Sequence, residues 1–258
     1  MTTTNIDDGS AIGLGTMGID DPERIASAIE MGYRHLDTAQ IYDNEAVVGE
    51  AIELADVPRS DLFVATKVWA DSLAPDDVLS STEESLDKLG LDTVDLLYVH
   101  RPIQTYDPEA TLPAFDRLRD DGRIEHVGVS NFGAKEIEAA RDVLDAPIVA
   151  HQVEMHPLYE QSELLADAKE HDATLVAYSP IAQGEVFDLP VMTELAEKHD
   201  ATAAQVALAW VVEKGAVPIP RSGSDHHLRE NLAAGELSLD AEDIARIDAI
   251  DREEKLFE

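Results

Sequence analysis

No cysteine occurs in the 258 residues, which excludes disulfides, thiolate metal sites and a thiol nucleophile. Positive charge is scarce. Seven lysines and twelve arginines stand against 54 acidic residues, a formal net charge of −35. A surface of that sign repels phosphate backbones and anionic headgroups, so neither nucleic acid nor a membrane is expected as a partner. Long hydrophobic runs are also lacking. The longest, Val206 to Val212, falls far short of the roughly 20 residues that span a bilayer. The start, Met1 to Asp8, has no basic region and no apolar region of an export signal, so a cytoplasmic protein is expected. No Pro/Gly/Ser-rich linker interrupts the chain, which is expected to form a single domain over residues 1–258.

What is present is a chain able to build a core. Apolar residues make up 44% of it and recur with helix and strand periods. The acids are spread along helical segments such as Glu83-Glu84, Asp120-Asp121 and Asp240 to Asp243, not gathered in a tail. An even spread of that density resembles a halophile surface. At about 1 M salt the Debye length is only about 3 Å, so self-repulsion is screened and the charge maintains solubility.

Short β-branched runs alternate with longer amphipathic ones. Strands are expected at Ala11–Gly15, Arg34–Asp37, Leu62–Thr66, Val94–Val99, His126–Val129, Ile148–Gln152, Thr174–Tyr178 and Val217–Ile219. Helices are expected between them, among them Pro22–Met31, Glu45–Leu54 capped by Asn44, Asp76–Leu89 closed by Gly90, Pro108–Arg119 and Thr202–Lys214. Eight β-then-α units in this length predict an α/β fold of the (β/α)8 TIM-barrel type. An open dinucleotide-binding sheet fits less well, because Gly13 to Gly18 lacks the Gly-x-Gly-x-x-Gly spacing.

Catalytic groups of such barrels sit at the C-terminal ends of strands. Those positions hold Asp37 with Tyr42 beyond it, Lys67, His100-Arg101, Ser130-Asn131, Gln152, Tyr178 and Arg221-Ser222. Singly, each has a bland explanation as a cap, a core aromatic or a structural histidine. Jointly they supply the types needed for proton-coupled hydride transfer. A tyrosine with a pKa near 10 is a poor acid at neutral pH until a lysine cation favours its phenolate. An aspartate keeps that lysine charged, and a histidine hydrogen-bonds the carbonyl oxygen. Asp37, Tyr42, Lys67 and His100 match these four requirements, and the hydride must come from a cofactor. A metal is not expected. His151, Glu154 and His156 are close in sequence, but on a strand His151 faces away from the other two.

Over essentially its whole length the chain resembles the aldo-keto reductases. The resemblance rests on Gly13-Leu14-Gly15-Thr16, Arg34 to Ala39 with Tyr42 beyond, Ala65 to Trp69, Leu97 to Pro102, Gly128 to Phe132, Gln152 to Pro157, Ala177 to Pro180, and Ile219 to Ser222 with Glu230-Asn231 following. It implies a nicotinamide-dependent reductase of small-molecule carbonyls (aldehydes, α-oxoaldehydes or keto-sugars) and a monomer. Tyr42 would be the general acid, tuned by Lys67 and Asp37, with His100 orienting the carbonyl. Ser130, Asn131 and Gln152 would hold the nicotinamide carboxamide, and Tyr178 would stack on its ring. Gly15, Thr16, Ser179 and Pro180 would lie along the cofactor. Arg221 and Ser222 would begin the clamp on the 2′-phosphate, with Glu230 and Asn231 on the adenine side. Met17 and Trp69 would form apolar walls of the substrate pocket.

The sequence departs from the family pattern at two places. His227 stands where NADPH-dependent members usually carry an arginine, so NADPH is the expected cofactor with NADH use alongside it. The ends are short, which implies a shortened or missing N-terminal hairpin, a reduced C-terminal lid and an open pocket. Arg101 is readable either as a rim salt bridge or as an attractor of acidic substrates. Two other function classes fit the barrel: a non-catalytic nicotinamide-nucleotide-binding regulatory subunit, and a Schiff-base aldolase using Lys67. The second needs a lysine of depressed pKa.

Overall fold

The structure is a computed structural model and describes residues 11–257. The N-terminal hairpin question falls on residues outside that range. Eight strands form one parallel sheet in chain order: β1 Leu14–Gly15, β2 His35–Asp37, β3 Phe63–Val68, β4 Val94–Val99, β5 Ile124–Ser130, β6 Ile148–Glu154, β7 Thr174–Tyr178 and β8 Ala216–Pro218. Helices α1 Pro22–Met31, α2 Glu45–Leu54, α3 Pro75–Leu89, α4 Pro108–Asp120, α5 Ala134–Val143 and α6 Ser162–Glu170 connect the first seven strands. α7 Pro190–Lys198 and α8 Ala203–Glu213 precede β8, and α9 Asp225–Ala233 and α10 Ala241–Asp248 follow it. This is the alternation of a (β/α)8 fold. No described helix is long and apolar enough to cross a membrane.

The seam between β8 and β1 is where the expected closure is incomplete. Gly13 N–H donates to the Pro218 carbonyl at 3.0 Å and Gly15 N–H to the Pro220 carbonyl at 3.2 Å, yet no paired ladder joins the two strands. Ile219 N–H faces β7 instead, on the Ala177 carbonyl at 3.0 Å, so residues 218 and 220 are the ones that face β1. Both are prolines and have no N–H to return. The seam is therefore bonded from one side. Gly15 lets the chains approach this closely, since a Cβ there would lie 2.8 Å from the Ile219 carbonyl oxygen.

Local signals explain most helix boundaries. Pro22 occupies the first turn of α1, the Asp21 carboxylate accepts from Glu23 N–H, and Gly32 ends it at φ 120°. A Thr202–Gln205 capping box starts α8. The expected Asn44 cap of α2 is not made. Its amide instead donates to the Thr16 and Ile19 carbonyls at 2.8 and 3.1 Å, tying the β1–α1 loop beneath the site.

Strand parity sorts the core. Leu36, Val64, Leu97, Val127 and Val129 face the helices, whereas Ala65, Leu96, Tyr98, Ala150, Val176 and Ile219 form a cluster inside the sheet. Gly128 makes room for one of them, because a Cβ there would meet the Tyr98 ring at 2.6 Å. On this inward face, two residues further along, stand Lys67 after Ala65, Gln152 after Ala150 and Tyr178 after Val176. The barrel interior thus changes from apolar to titratable within one step of the pleat.

Candidate active site

Asp37 ends β2, and the chain then makes a short turn over Gln40–Tyr42 that brings Tyr42 back over the barrel mouth. Lys67, fully buried, comes from the adjacent β3. Its Nζ donates to Asp37 Oδ1 at 2.5 Å and to the Thr38 carbonyl at 2.7 Å, and also hydrogen-bonds the Tyr42 hydroxyl. The other Asp37 oxygen accepts from Gln152 Nε2 at 2.7 Å. Every polar group of the pair is thus partnered, which a buried ion pair requires if it is not to destabilise the fold.

Burial works against the Lys67 charge, but Asp37 and Tyr42 outweigh it and hold the ammonium above its ordinary pKa. A charged Lys67 lacks the free lone pair that a Schiff-base nucleophile needs, which removes the aldolase reading. Tyr42 departs from expectation. Lys67 does pull its pKa down, yet burial of the phenol exceeds that pull and Asp37 adds to it, so the net direction is upward. The hydroxyl therefore stays protonated in the resting site, and only a neighbouring oxygen that gains negative charge would draw the proton off.

His100 follows β4 and is edge-on to both Tyr42 and Trp69, with ring centroids 5.9 and 4.9 Å apart. Burial first, then the Lys67 and Arg101 charges, drives its pKa down to about 2. It is a neutral imidazole that can donate one hydrogen bond and does not titrate near neutral pH. Of the two expected pocket walls, Trp69 lies beside His100, while Met17 lies out on the surface at 52% exposure.

The residues expected along the cofactor fall into four groups, the last being Ser179 and Pro180. Ser130, Asn131 and Tyr178 bond one another, and the Gln152 carbonyl accepts from Asn131 N–H at 3.0 Å while its amide serves Asp37. Asn131 Nδ2 donates to Ser130 Oγ at 2.9 Å and to the His100 carbonyl at 3.0 Å, and Tyr178 OH donates to Asn131 Oδ1 at 2.8 Å. Burial and the Glu154 charge push the Tyr178 phenol up to about 12. Arg221 and His227 form the second group and are exposed, whereas Ser222, Glu230 and Asn231 beside them are partly or fully buried. Arg221 has no ion-pair partner among the described residues, although acids outnumber bases almost threefold. Gly15 and Thr16 form the third. Both are buried, and Thr16 Oγ1 donates to the Asp37 carbonyl at 2.9 Å. They build the floor of the site. Ser179, next to Pro180, adopts φ 50°, and Ala182 and Gln183 adopt 48° and 53°. Such backbone strain in non-glycine residues gathers at functional rims.

Sequence reasoning passed over Glu154 except as an unlikely metal ligand. It shares the inward parity of Gln152, which is the signal that marks it. Glu154 Oε1 bonds His156 Nε2 at 3.1 Å, and both carboxylate oxygens accept backbone N–H groups of the terminal segment 251–257. His151 points the other way, and no described cluster has the makings of a metal site. The terminal segment is the short stretch from which a reduced lid and an open pocket are expected. It lies across the rim, and a cavity of about 930 Å3 runs beneath it past Arg101, Asn131, Tyr178 and Phe257. This cavity flanks the Asp37–Lys67–Tyr42–His100 group, and none of those four residues lines it. Trp69 and Ile41 line a separate groove of about 240 Å3 on the opposite side.

The aldo/keto reductase family model matches residues 11–252. A methylglyoxal reductase DkgB of Escherichia coli O157:H7 is 39% identical over 252 residues, covering 95% of this chain and 94% of that protein. A glyoxal reductase of Bacillus subtilis is 37% identical, covering 95% and 90%. Among solved structures, MGS-M4, an aldo-keto reductase from a Medee basin deep-sea metagenome library, superposes with a TM-score of 0.92 at 33% identity, covering 96% and 93%.

Proposed function

The chain belongs to the aldo/keto reductase family and is an oxidoreductase, and from that premise we propose that it reduces small aldehydes and oxoaldehydes to alcohols with NADPH, Tyr42 giving the proton. The observation that carries this reading is the buried Asp37–Lys67–Tyr42 array, with neutral His100 beside it. A chain that merely bound a nucleotide would have no use for a fully buried lysine directed at a phenol. The same array therefore weighs against the regulatory-subunit reading.

The residues present fit a nicotinamide nucleotide. Tyr178 offers a ring face at the end of β7, the Ser130–Asn131–Gln152 cluster offers amide and hydroxyl partners, and Arg221 offers an uncompensated guanidinium suited to a phosphate. When bound, such a cofactor supplies the hydride. The protein's own part is positional and protonic. His100 donates a hydrogen bond to the carbonyl oxygen and fixes it near the Tyr42 hydroxyl. As charge grows on that oxygen, Tyr42 transfers its phenolic proton to it, and Lys67 stabilises the phenolate left behind. Asp37 keeps Lys67 charged and in place, and Gln152 and Thr38 keep Asp37 and Lys67 in register.

The names of the relatives support methylglyoxal- and glyoxal-like substrates. His227 supports appreciable NADH use. The dispersed acids support a protein adapted to concentrated salt, and a single domain, a monomer and a cytoplasmic location belong to the same proposal. The test is consumption of NADPH and of NADH with methylglyoxal, glyoxal and keto-sugars in 0–3 M salt, a range set by the screening argument at roughly 1 M. Turnover that Tyr42→Phe leaves untouched would overturn the mechanism. Full stability in dilute buffer, followed by circular dichroism, would overturn the salt reading.

A further inference from the structure

Among the buried carboxylates that the mechanism does not use is Glu154, on the rim. Glu154 ends β6, is 2% exposed, and faces inward with Gln152. It is fully engaged. Oε1 accepts from Leu256 N–H at 2.6 Å and meets His156 Nε2 at 3.1 Å, and Oε2 accepts from Phe257 N–H at 3.1 Å. His156 Nδ1 accepts from Leu158 N–H at 3.2 Å, so the ring proton is on Nε2 and the imidazole donates to Glu154. A further bond, Glu254 N–H to the Leu158 carbonyl at 2.7 Å, lays the segment along the same edge. The fastened end places the Phe257 ring edge-on to Tyr178, centroids 5.6 Å apart and planes at 80°.

Tyr178 is thus held at its hydroxyl, by Asn131 and Arg101, and at its ring, by Phe257. We infer that Glu154 is a positioning residue for the nicotinamide end of the cofactor, acting at a distance by clasping the terminal segment so that Phe257 fixes the plane of Tyr178. Buried carboxylates are costly unless several donors satisfy them, and here two of the three donors belong to the terminal segment. The inference rests on the proposed role of Tyr178 as the surface against which the nicotinamide lies.

Glu154→Gln tests it with almost no change of shape. Its amide nitrogen, placed at the Oε2 position, would confront the Phe257 N–H donor to donor. In the ligand-free protein, hydrogen exchange at the Leu256 and Phe257 amides should accelerate at least tenfold in this variant. NADPH titrated against intrinsic fluorescence should show a 2- to 10-fold higher Kd for Glu154→Gln and for Phe257→Ala, the scale of one aromatic edge-to-face pair. The double variant should be no weaker than either single one, and Phe257→Tyr, which keeps the ring, should bind as wild type. Unchanged exchange in Glu154→Gln overturns the clasp. Accelerated exchange with unchanged or tighter NADPH binding overturns the coupling to Tyr178. Failure of the wild type to bind either nucleotide sinks the cofactor reading and this inference together, whereas wild-type binding with unaltered variants sinks the inference alone.

Discussion

The interior of the barrel and its rim treat positive charge in opposite ways. Inside, Lys67 is wholly buried, and its partners are a carboxylate, a carbonyl and a phenol. At the rim, Arg221 is exposed and has no acidic partner among the described residues. Buried pairs are little affected by dissolved ions, while exposed charges are largely screened beyond a Debye length. The chemistry and the grip on a charged cofactor should therefore respond differently to salt. If the surface acids reflect a saline setting, the array inside is the part that needs no adjustment.

The largest effect expected lies inside. Tyr42→Phe keeps the ring and removes the proton, so kcat should fall by about 10² to 10⁴-fold, the usual span for a general acid. Cofactor affinity should barely change, and the loss should be the same at low and high salt. A loss that shrank with salt would break the contrast between the two regions. Lys67→Met should be the most damaging to stability. It strands the Asp37 carboxylate in the barrel, at a cost of about 3–5 kcal/mol, read by denaturant unfolding. Adding Asp37→Asn should recover much of that loss.

A third interior prediction concerns acid. His100 is held down to about 2 and His151, mainly by burial, to about 4. Both are neutral in the fold and acquire charge in the unfolded chain near pH 6.5. Each therefore contributes stability that is complete above that value and declines as pH falls toward the folded pKa. At pH 5 the deficit should be roughly 2 kcal/mol for each histidine, and His151→Leu should remove one share of the slope. The rate should show no histidine limb between about pH 5 and 8. A limb there that vanishes in His100→Gln would overturn the neutral assignment.

How far this was legible in the sequence divides along the same line. The inner four residues were readable because each terminates a strand or its first turn, and strand parity fixes where such a residue points. Asp37, Lys67 and His100 had no other direction available. The seam was not readable. Pro218 and Pro220 announce themselves as prolines, but their effect depends on which alternate positions face β1, a matter of register across more than two hundred residues. Asn44 illustrates a different limit. Its local signal favoured a helix cap, and tertiary partners on the β1–α1 loop won. Glu154 was hidden because its donors come from the far end of the chain. The length of the terminal segment predicts a reduced lid and is silent on the buried carboxylate that fastens it.

At the rim the effects should be smaller and dependent on salt. Arg221→Ala should raise the NADPH KM about tenfold in dilute buffer, the scale of one charge-assisted contact, and much less at about 1 M salt. NADH should be affected little, since it lacks the 2′-phosphate. Equal losses for the two cofactors would mean that Arg221 holds something they share, such as the pyrophosphate.

His227→Arg should give the smallest change and the most informative one. The residue is exposed on α9, one turn from Glu230. A guanidinium there would sit among acids that compete for it, as Asp225 already holds Arg24. An exposed charge of this kind is worth about 0.2–1 kcal/mol, so the preference for NADPH over NADH should rise roughly 2- to 5-fold in dilute buffer. At about 1 M salt the gain should disappear. If it persisted undiminished, the new side chain would be making a desolvated, bidentate contact with the phosphate. The rim would then hold its cation as the interior does, by geometry and not by an unscreened field.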